Sequence, residues 1–463
     1  MIKTKEIHVV QKDSRYVVFH PESFSLFSVT EDIGEILKSY EINAKYINLD
    51  KEIEINNILN HLSKKIKLNS TKNLKWTNPE PRGLNLLVSQ DCNLKCGYCY
   101  ADHGTYGSGK RLMKYDTAKK CIDKLFSKNF DNYIVFFGGE PLLNFPLIKK
   151  IDSYLNEKKM SAKYTTVTNG TLINNEIKNF INEKFLNLCI SLDGPKDLND
   201  EQRFGINESV HDCVVEIIEN LHPRSYPILI KSTITKRSVN QLREIVEHIS
   251  SLDIDSLAME SVKGVSPESE FFISNDDYVT YINDLANILV SNINKLANGE
   301  KVVFKTYIYD ILIQMITKTR KINICSAGNE CITITADGDV YPCQMFFGFK
   351  EFHMGNVHDE DFPGEKFNRC KEIFCKANVY NSSKCNACWA RFLCGGDCHW
   401  QSYISYRSLS QPTEQRCFEM KSIIEALLLE IAVIFQDEIK TKNLLDYMSQ
   451  NKRNEVIHVM RLE

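Results

Sequence analysis

The feature that most limits the fold is a repeating alternation of apolar strand segments and helical patterns beginning at residue 83. The strand segments are residues 84–89, 133–137, 164–167, 186–192, 228–234 and 256–260. Helical patterns such as 174–184 and 240–251 lie between them. Repeated βα units predict an α/β fold with a parallel sheet, either open or curled into a partial barrel. Chemistry in such folds gathers at the C-terminal ends of the strands.

On either side the pattern changes. Residues 1–80 read as a small separate module. Short strands are expected at 7–10, 16–19 and 24–29, with a turn at His20-Pro21-Glu22-Ser23. Thr30-Glu31-Asp32 can cap a helix over 33–40, and a second, polar helix is expected near 50–66. Thr77-Asn78-Pro79-Glu80-Pro81 reads as a linker. Residues 81–300 form the repeating core. Residues 301–463 form a third region, Cys-rich and loop-rich, with a C-terminal helical tail that includes an amphipathic stretch over 423–435.

Net charge is −3, so no global field points to nucleic acid or an acidic membrane. The N-terminus lacks a secretory h-region, and no apolar run reaches membrane length. A cytoplasmic protein is therefore expected. In a reducing compartment, 16 Cys suggest metal or redox chemistry before disulfides.

Their distribution carries the argument. Cys92, Cys96 and Cys99 follow the first core strand with C-x3-C-x2-C spacing. Three thiolates are too few to close a four-ligand site. On a four-iron cluster they leave one iron open to chelate a small molecule. The alternative is a zinc site short of one ligand. Eight more thiols, Cys325, Cys331, Cys343, Cys385, Cys388, Cys394, Cys398 and Cys417, form a spaced array, with Cys370 and Cys375 in one of its gaps. Eight thiolates suit two fully ligated four-iron clusters, or a pair of structural zinc sites. Within the array, a hairpin is expected with its turn at Asp337-Gly338. Cys121, Cys189 and Cys213 fall in helix or strand patterns and read as core.

C-x3-C-x2-C after the first strand of a six-repeat barrel resembles the radical SAM superfamily. The resemblance covers residues 83 to about 260. It implies a partial (β/α)6 TIM-like barrel, a [4Fe-4S] cluster on Cys92, Cys96 and Cys99, and S-adenosyl-L-methionine (SAM) at the open iron. Reductive cleavage of SAM then gives a 5′-deoxyadenosyl radical that abstracts hydrogen from the substrate. Matching positions imply further SAM contacts. Gly138, Gly139 and Glu140 end the second strand and would meet the methionine amino group. Asn169 and Ser191 end the third and fourth strands and would reach ribose. Arg203 would pair with the carboxylate, and Tyr98 would sit near adenine.

The Cys325–Cys417 array resembles the SPASM extension of radical SAM peptide modifiers. That resemblance implies three [4Fe-4S] clusters in all. One auxiliary cluster would use Cys325, Cys331, Cys343 and Cys398, and the other Cys385, Cys388, Cys394 and Cys417. Whether an auxiliary cluster keeps an open site is left undecided. Tyr100 to Gly107 resembles the segment in SCIFF and ranthipeptide maturases and the quinohemoprotein amine dehydrogenase maturase. These enzymes join a Cys sulfur to a carbon of another residue. Gln344 stands where sulfatase maturases carry an Asp, which argues against formylglycine formation. Carbon–carbon crosslinking or another residue oxidation is the alternative reaction, and a zinc-stapled peptide-binding protein is the non-catalytic one. The N-terminal module resembles a PqqD-like winged-helix element that binds a leader peptide by strand addition. The implied partners are a Cys-containing precursor peptide and an electron donor such as flavodoxin or ferredoxin.

Overall fold

The computed structural model describes residues 7–42, 80–126 and 131–451. The expected helix near 50–66 and most of the linker lie outside them.

Three antiparallel strands open the chain: β1 (His8–Lys12), β2 (Arg15–His20) and β3 (Ser25–Val29), in the order β1-β2-β3. The helix Glu31–Ile42 follows. Alternation puts Val9, Tyr16 and Val18 beneath that helix with Ile33 and Leu37. Val10, Val17 and Phe19 point the other way, into the main core. Both faces of this small sheet are therefore buried.

The main sheet has the strands β4 (Gly83–Gln90), β5 (Arg111–Leu112), β6 (Asn132–Gly138), β7 (Ala162–Thr168), β8 (Leu188–Ser191), β9 (Ile228–Ile234), β10 (Ser256–Ser261), β11 (Cys331–Ile334) and β12 (Val340–Tyr341). Their order is β10-β9-β8-β7-β6-β4-β11-β12, with β5 added antiparallel to β4. The six core strands are parallel and in sequence order, forming the partial TIM-like barrel. All six expected strands are present. β11 was not among them, and it comes from the Cys-rich region. It pairs parallel to β4, Cys331 against Gly83 and Ile334 against Leu86. The Cys-rich region and the core thus share one sheet. The expected hairpin is present, antiparallel between β11 and β12 with Thr333 opposite Tyr341, although β11 begins two residues earlier than the pattern suggested.

One face of the core strands packs under the helices, as Ile190, Ile230 and Leu257 show. On the other face, Val167, Cys189, Leu229 and Ala258 form a small apolar plug. Two residues further along each strand segment the same face carries Asn169, Ser191, Lys231 and Glu260. An apolar floor thus gives way to a polar layer at the C-terminal strand ends.

The C-terminal stretch read as amphipathic belongs to a longer helix, Glu414–Ile434, that is buried on several sides. It lies between the helix Asn275–Ala297 and the N-terminal sheet, so Ile423, Ile424, Leu427, Leu428 and Ile431 all need apolar surroundings. Cys121 is core, as expected. Cys370 and Cys375 are buried in the helix Glu365–Lys376, and Cys375 Sγ donates to Asn329 Oδ1 at 2.8 Å.

Candidate functional site

The polar layer opens into a cavity of about 570 Å³. Its walls bring together segments from both Cys-rich regions. The 92–99 loop is held without any metal. Lys95 N donates to Phe204 O at 2.5 Å, and Gly97 N to Gln202 O at 3.0 Å. Cys92 N donates to Asp91 Oδ1 at 2.8 Å. Cys92, Cys96 and Cys99 all face the cavity. Burial pushes the Cys92 thiol up to about 12, and Cys96 and Cys99 raise it further. Burial also raises Cys96, while Arg203 pulls the other way. Such thiols ionise on metal binding rather than by themselves.

Gly138 and Gly139 line the cavity, yet their need for glycine comes from the protein. Gly138 has φ +140°, and a Cβ there would sit 1.9 Å from Ser89 O. A Cβ on Gly139 would sit 2.3 Å from Asp91 O. The close approach is between the ends of β4 and β6. Glu140 lies behind them, fully buried and outside the cavity lining. Its carboxylate accepts from Leu142 N at 3.0 Å, Thr168 Oγ1 at 2.7 Å and Asn169 N at 2.7 Å. It braces the end of β7. Burial raises its pKa, against those hydrogen bonds.

Asn169 lines the cavity but also ties down the thiol loop. Its Nδ2 donates to Asn93 Oδ1 at 2.9 Å, and its Oδ1 accepts from Thr171 N at 3.0 Å. Ser191 lines the cavity at the end of β8. Arg203 Nη1 donates to Tyr98 Oη at 2.6 Å, and that hydroxyl donates to Asp193 Oδ2 at 2.6 Å. Arg203 and Asp193 are 3.8 Å apart. Arg203 Nε is buried and has no partner among the described residues. A buried guanidinium with an unused N–H beside an open cavity suits an anionic ligand group such as a carboxylate. Asp193 fixes Tyr98 and Arg203. The Tyr98 ring packs edge-on to Phe271, with centroids 6.1 Å apart.

The same cavity is also lined by Cys325, Cys331, Cys343 and Cys398. Burial is the main cause that raises Cys325 to about 11 and Cys331 to about 12. Cys398 raises Cys325 and Cys343, and Cys325 raises Cys331, as neighbouring thiols do. A separate group contains Cys385, Cys388, Cys394 and Cys417, where Cys385 is raised first by burial and then by the other three. Arg416 and Lys321 oppose burial at Cys394, and Lys384 does so at Cys417. The thiols of each expected set thus lie near one another. Cys370 and Cys375 belong to neither. Among the described residues, no three His, Cys, Asp or Glu side chains are gathered tightly enough to hold a single metal ion. The cation-flanked thiol sets suit thiolate-ligated clusters, whose negative charge those cations offset.

Two further cavity residues, Lys231 and Glu260, were not singled out from sequence. Lys231 and Glu260 pair at 3.3 Å within the polar layer, and Glu260 holds the Lys231 ammonium up to about 12. Gln344 lines the wall and accepts from Asn85 Nδ2 at 3.0 Å. The signal was available. Lys231 is a charged residue in the strand Ile228–Ile234, on the face that alternation gives to Leu229 and Thr233.

Comparison with known proteins fits this geometry. The Radical SAM superfamily model matches residues 86–252, and the SPASM model, an iron-sulfur cluster-binding domain, matches residues 325–389. The radical SAM cyclopropyl synthase TigE of Paramaledivibacter caminithermalis is 23% identical over 95% of this chain and 98% of its own. A Cysteine-type anaerobic sulfatase-maturating enzyme of Clostridium novyi is 24% identical over 68% of this chain and 88% of its own. A solved structure, native anSMEcpe with bound AdoMet and Cp18Cys peptide, aligns with TM-score 0.61 at 21% identity, covering 76% of this chain and 99% of that one. The two domains imply SAM and [4Fe-4S] clusters as cofactors. The chain is a member of the radical SAM superfamily that carries a SPASM iron–sulfur domain.

Proposed function

We propose that this chain is a peptide maturase that installs a Cys sulfur-to-carbon thioether in a ribosomally made precursor. The observation that carries the proposal is the single cavity whose lining includes both Cys92, Cys96 and Cys99 and Cys325, Cys331, Cys343 and Cys398. A peptide segment held there lies between a hydrogen-abstracting centre and an electron-accepting one. When bound, an open-iron cluster with SAM supplies the carbon radical, and the auxiliary clusters supply redox capacity.

The chain's own residues bind, orient and exclude water. Arg203, fixed by Tyr98 and Asp193, offers its unused N–H to the SAM carboxylate. Gly138 and Gly139 present backbone to the amino group, with Glu140 bracing them from behind. Asn169 holds the thiol loop in place, and Ser191 offers a hydroxyl to ribose. The apolar plug of Val167, Cys189, Leu229 and Ala258 closes the cavity floor against water. Gln344 offers an amide and no base, which favours crosslinking over formylglycine formation. The net change in the peptide is loss of the thiol hydrogen and one C–H hydrogen, with formation of one S–C bond.

We assign residues 1–80 to leader recognition, 81–300 to the radical SAM core and 301–463 to the auxiliary-cluster region. The β3 edge of the β1-β2-β3 sheet supports the first assignment, since no strand among the described residues pairs with it and a peptide strand can add there. A flavodoxin or ferredoxin would deliver the electron. Among the described residues no helix is long and apolar enough to cross a membrane.

The test is anaerobic reconstitution, dithionite reduction and incubation with the Cys-containing peptide encoded beside the gene. The expected product is lighter by two hydrogens and no longer reacts with iodoacetamide. A product of that mass with a free thiol points instead to carbon–carbon closure, the reading favoured by the near full-length match to a cyclopropyl synthase. No 5′-deoxyadenosine at all, with or without peptide, sinks both.

A further inference from the structure

A second cavity, of about 510 Å³, adjoins the first. It lies along the end of β10, the helix Thr306–Thr317 and the start of the helix Glu414–Ile434. Both cavities are lined by Glu260, Ser261, Val262, Lys263, Cys325 and Cys398, so they meet along one seam. A cavity of this size is within the range of ligand sites.

Most of its polar groups are already matched. Lys321 pairs with Asp310 at 3.2 Å, and Arg416 with Glu419 at 3.1 Å. Glu419 also accepts from Tyr278 Oη at 3.0 Å and Tyr307 Oη at 2.9 Å. Asp397 accepts from Thr413 N at 2.9 Å, Thr413 Oγ1 at 2.7 Å and Cys398 N at 2.7 Å. Glu260 pairs with Lys231 across the seam.

Two features of the seam remain unmatched. Lys263 is exposed there, pairs with no described carboxylate, and lies near enough to Cys325 to lower that thiol. The other is main chain. β10 is an end strand of the sheet. Leu257 N donates outward to Val303 O at 3.0 Å, while Val262 N donates inward to Ile234 O at 2.8 Å. Strand alternation therefore turns the Ser261 main chain outward, and Ser261 lines the second cavity. An end strand with open main-chain groups beside a cavity is a template for an added peptide strand.

We propose that the second cavity holds the stretch of substrate peptide adjoining the reacting residue, paired as a short strand on the Ser261 edge of β10 with an acidic side chain against Lys263. This rests on the reading above that the chain modifies a peptide. The reacting residue then lies in the first cavity, and the seam fixes its distance from the bound flank.

The experiment is a display selection on the full, iron–sulfur-loaded chain. The library is 12-residue peptides, random except for one central Cys. The expected outcome is enrichment of Asp or Glu on one side of the Cys. Lys263→Glu should reverse that preference to Lys or Arg. Gln401→Trp, which fills only the second cavity, should lower recovery at least ten-fold with iron and sulfide content unchanged. Absence of any charge preference, a preference that survives Lys263→Glu, or no recovery from either chain overturns the proposal. Peptide-free formation of 5′-deoxyadenosine by the unsubstituted chain is measured in parallel. Its absence counts against the reaction, and the selection result counts against the flank.

Discussion

Two regions of this molecule gather thiols in opposite ways. In the barrel, Cys92, Cys96 and Cys99 sit in one short loop. That loop is positioned by hydrogen bonds to Phe204, Gln202 and Asn169 and by the glycine-dependent approach of β4 to β6. In the auxiliary region, each thiol set draws on segments far apart in sequence, Cys325 with Cys398 and Cys385 with Cys417. Regular structure there is sparse, with two-residue and four-residue elements. The difference teaches which site is preformed. The barrel thiols share one loop fixed by protein contacts, while clusters bound to the auxiliary thiols would add ties between distant segments.

The largest expected effect follows from stripping iron. Hydrogen exchange on the metal-free chain should show residues 318–417 losing protection by about 100-fold or more, as sub-global opening does. Strands β4 and β6–β10 should stay protected. Equal loss in both regions would break the contrast.

Single thiols sharpen it next. Cys96→Ala should abolish 5′-deoxyadenosine formation and leave the melting temperature nearly unchanged. About two thirds of the iron should remain if three four-iron clusters are present. Cys398→Ala removes a tie between distant segments. It should cost about 3 kcal/mol of stability in thermal or denaturant unfolding, a loss that Cys96→Ala should not share.

The contrast also explains what the sequence made legible. The strand pattern and the C-x3-C-x2-C spacing are local signals, so the core strands and the first site could be read directly. Interleaved auxiliary ligands are not local, and their grouping came from resemblance. The hairpin strand β11 was legible, but its parallel pairing into the main sheet was not. Its partner β4 lies some 250 residues earlier. The C-terminal helix reads as amphipathic in sequence because Glu425 and Glu430 interrupt it, and in the fold Glu425 pairs with His8 at 2.9 Å. In the fold Glu419 is held by Tyr278, Tyr307 and Arg416, and Glu430 by Arg15 and Asn294. Glu140 and Asn169 were read as ligand contacts. Their observed bonds show bracing roles that only a tertiary structure reveals.

That bracing gives a smaller, testable effect. Asn169→Ala removes the bond to Asn93 and leaves Thr171 N without its acceptor. The expected cost is about 1–3 kcal/mol locally. The first site should lose iron faster under chelator challenge, while the auxiliary iron is released at the unsubstituted rate. Asn169→Asp keeps the acceptor to Thr171 and should recover part of the retention.

The smallest effect concerns a third region, docked on the auxiliary one by protein contacts alone. Glu22 pairs with Arg320 and Arg391, and His8 stacks on Trp389 with centroids 3.7 Å apart. Near that contact His20 is fully buried, accepting from Ser23 N at 3.2 Å, with Nε2 unpartnered among the described residues. Burial pulls its pKa down to about 4, with Glu22 opposing and Arg391 adding to the fall. An unfolded histidine titrates near 6.5. Between those values the unfolded chain binds a proton that the folded chain refuses, so stability falls with decreasing pH. The contribution is complete above about pH 6.5, declines toward pH 4 and is level below it. Hydrogen exchange of β1–β3 in the loaded chain should therefore quicken from pH 6.5 to 5, after correction for intrinsic rates. His20→Gln should remove that slope, since an amide does not titrate. A slope that persists in His20→Gln assigns the pH dependence to another group and leaves the metal-free docking of this module without its titrating residue.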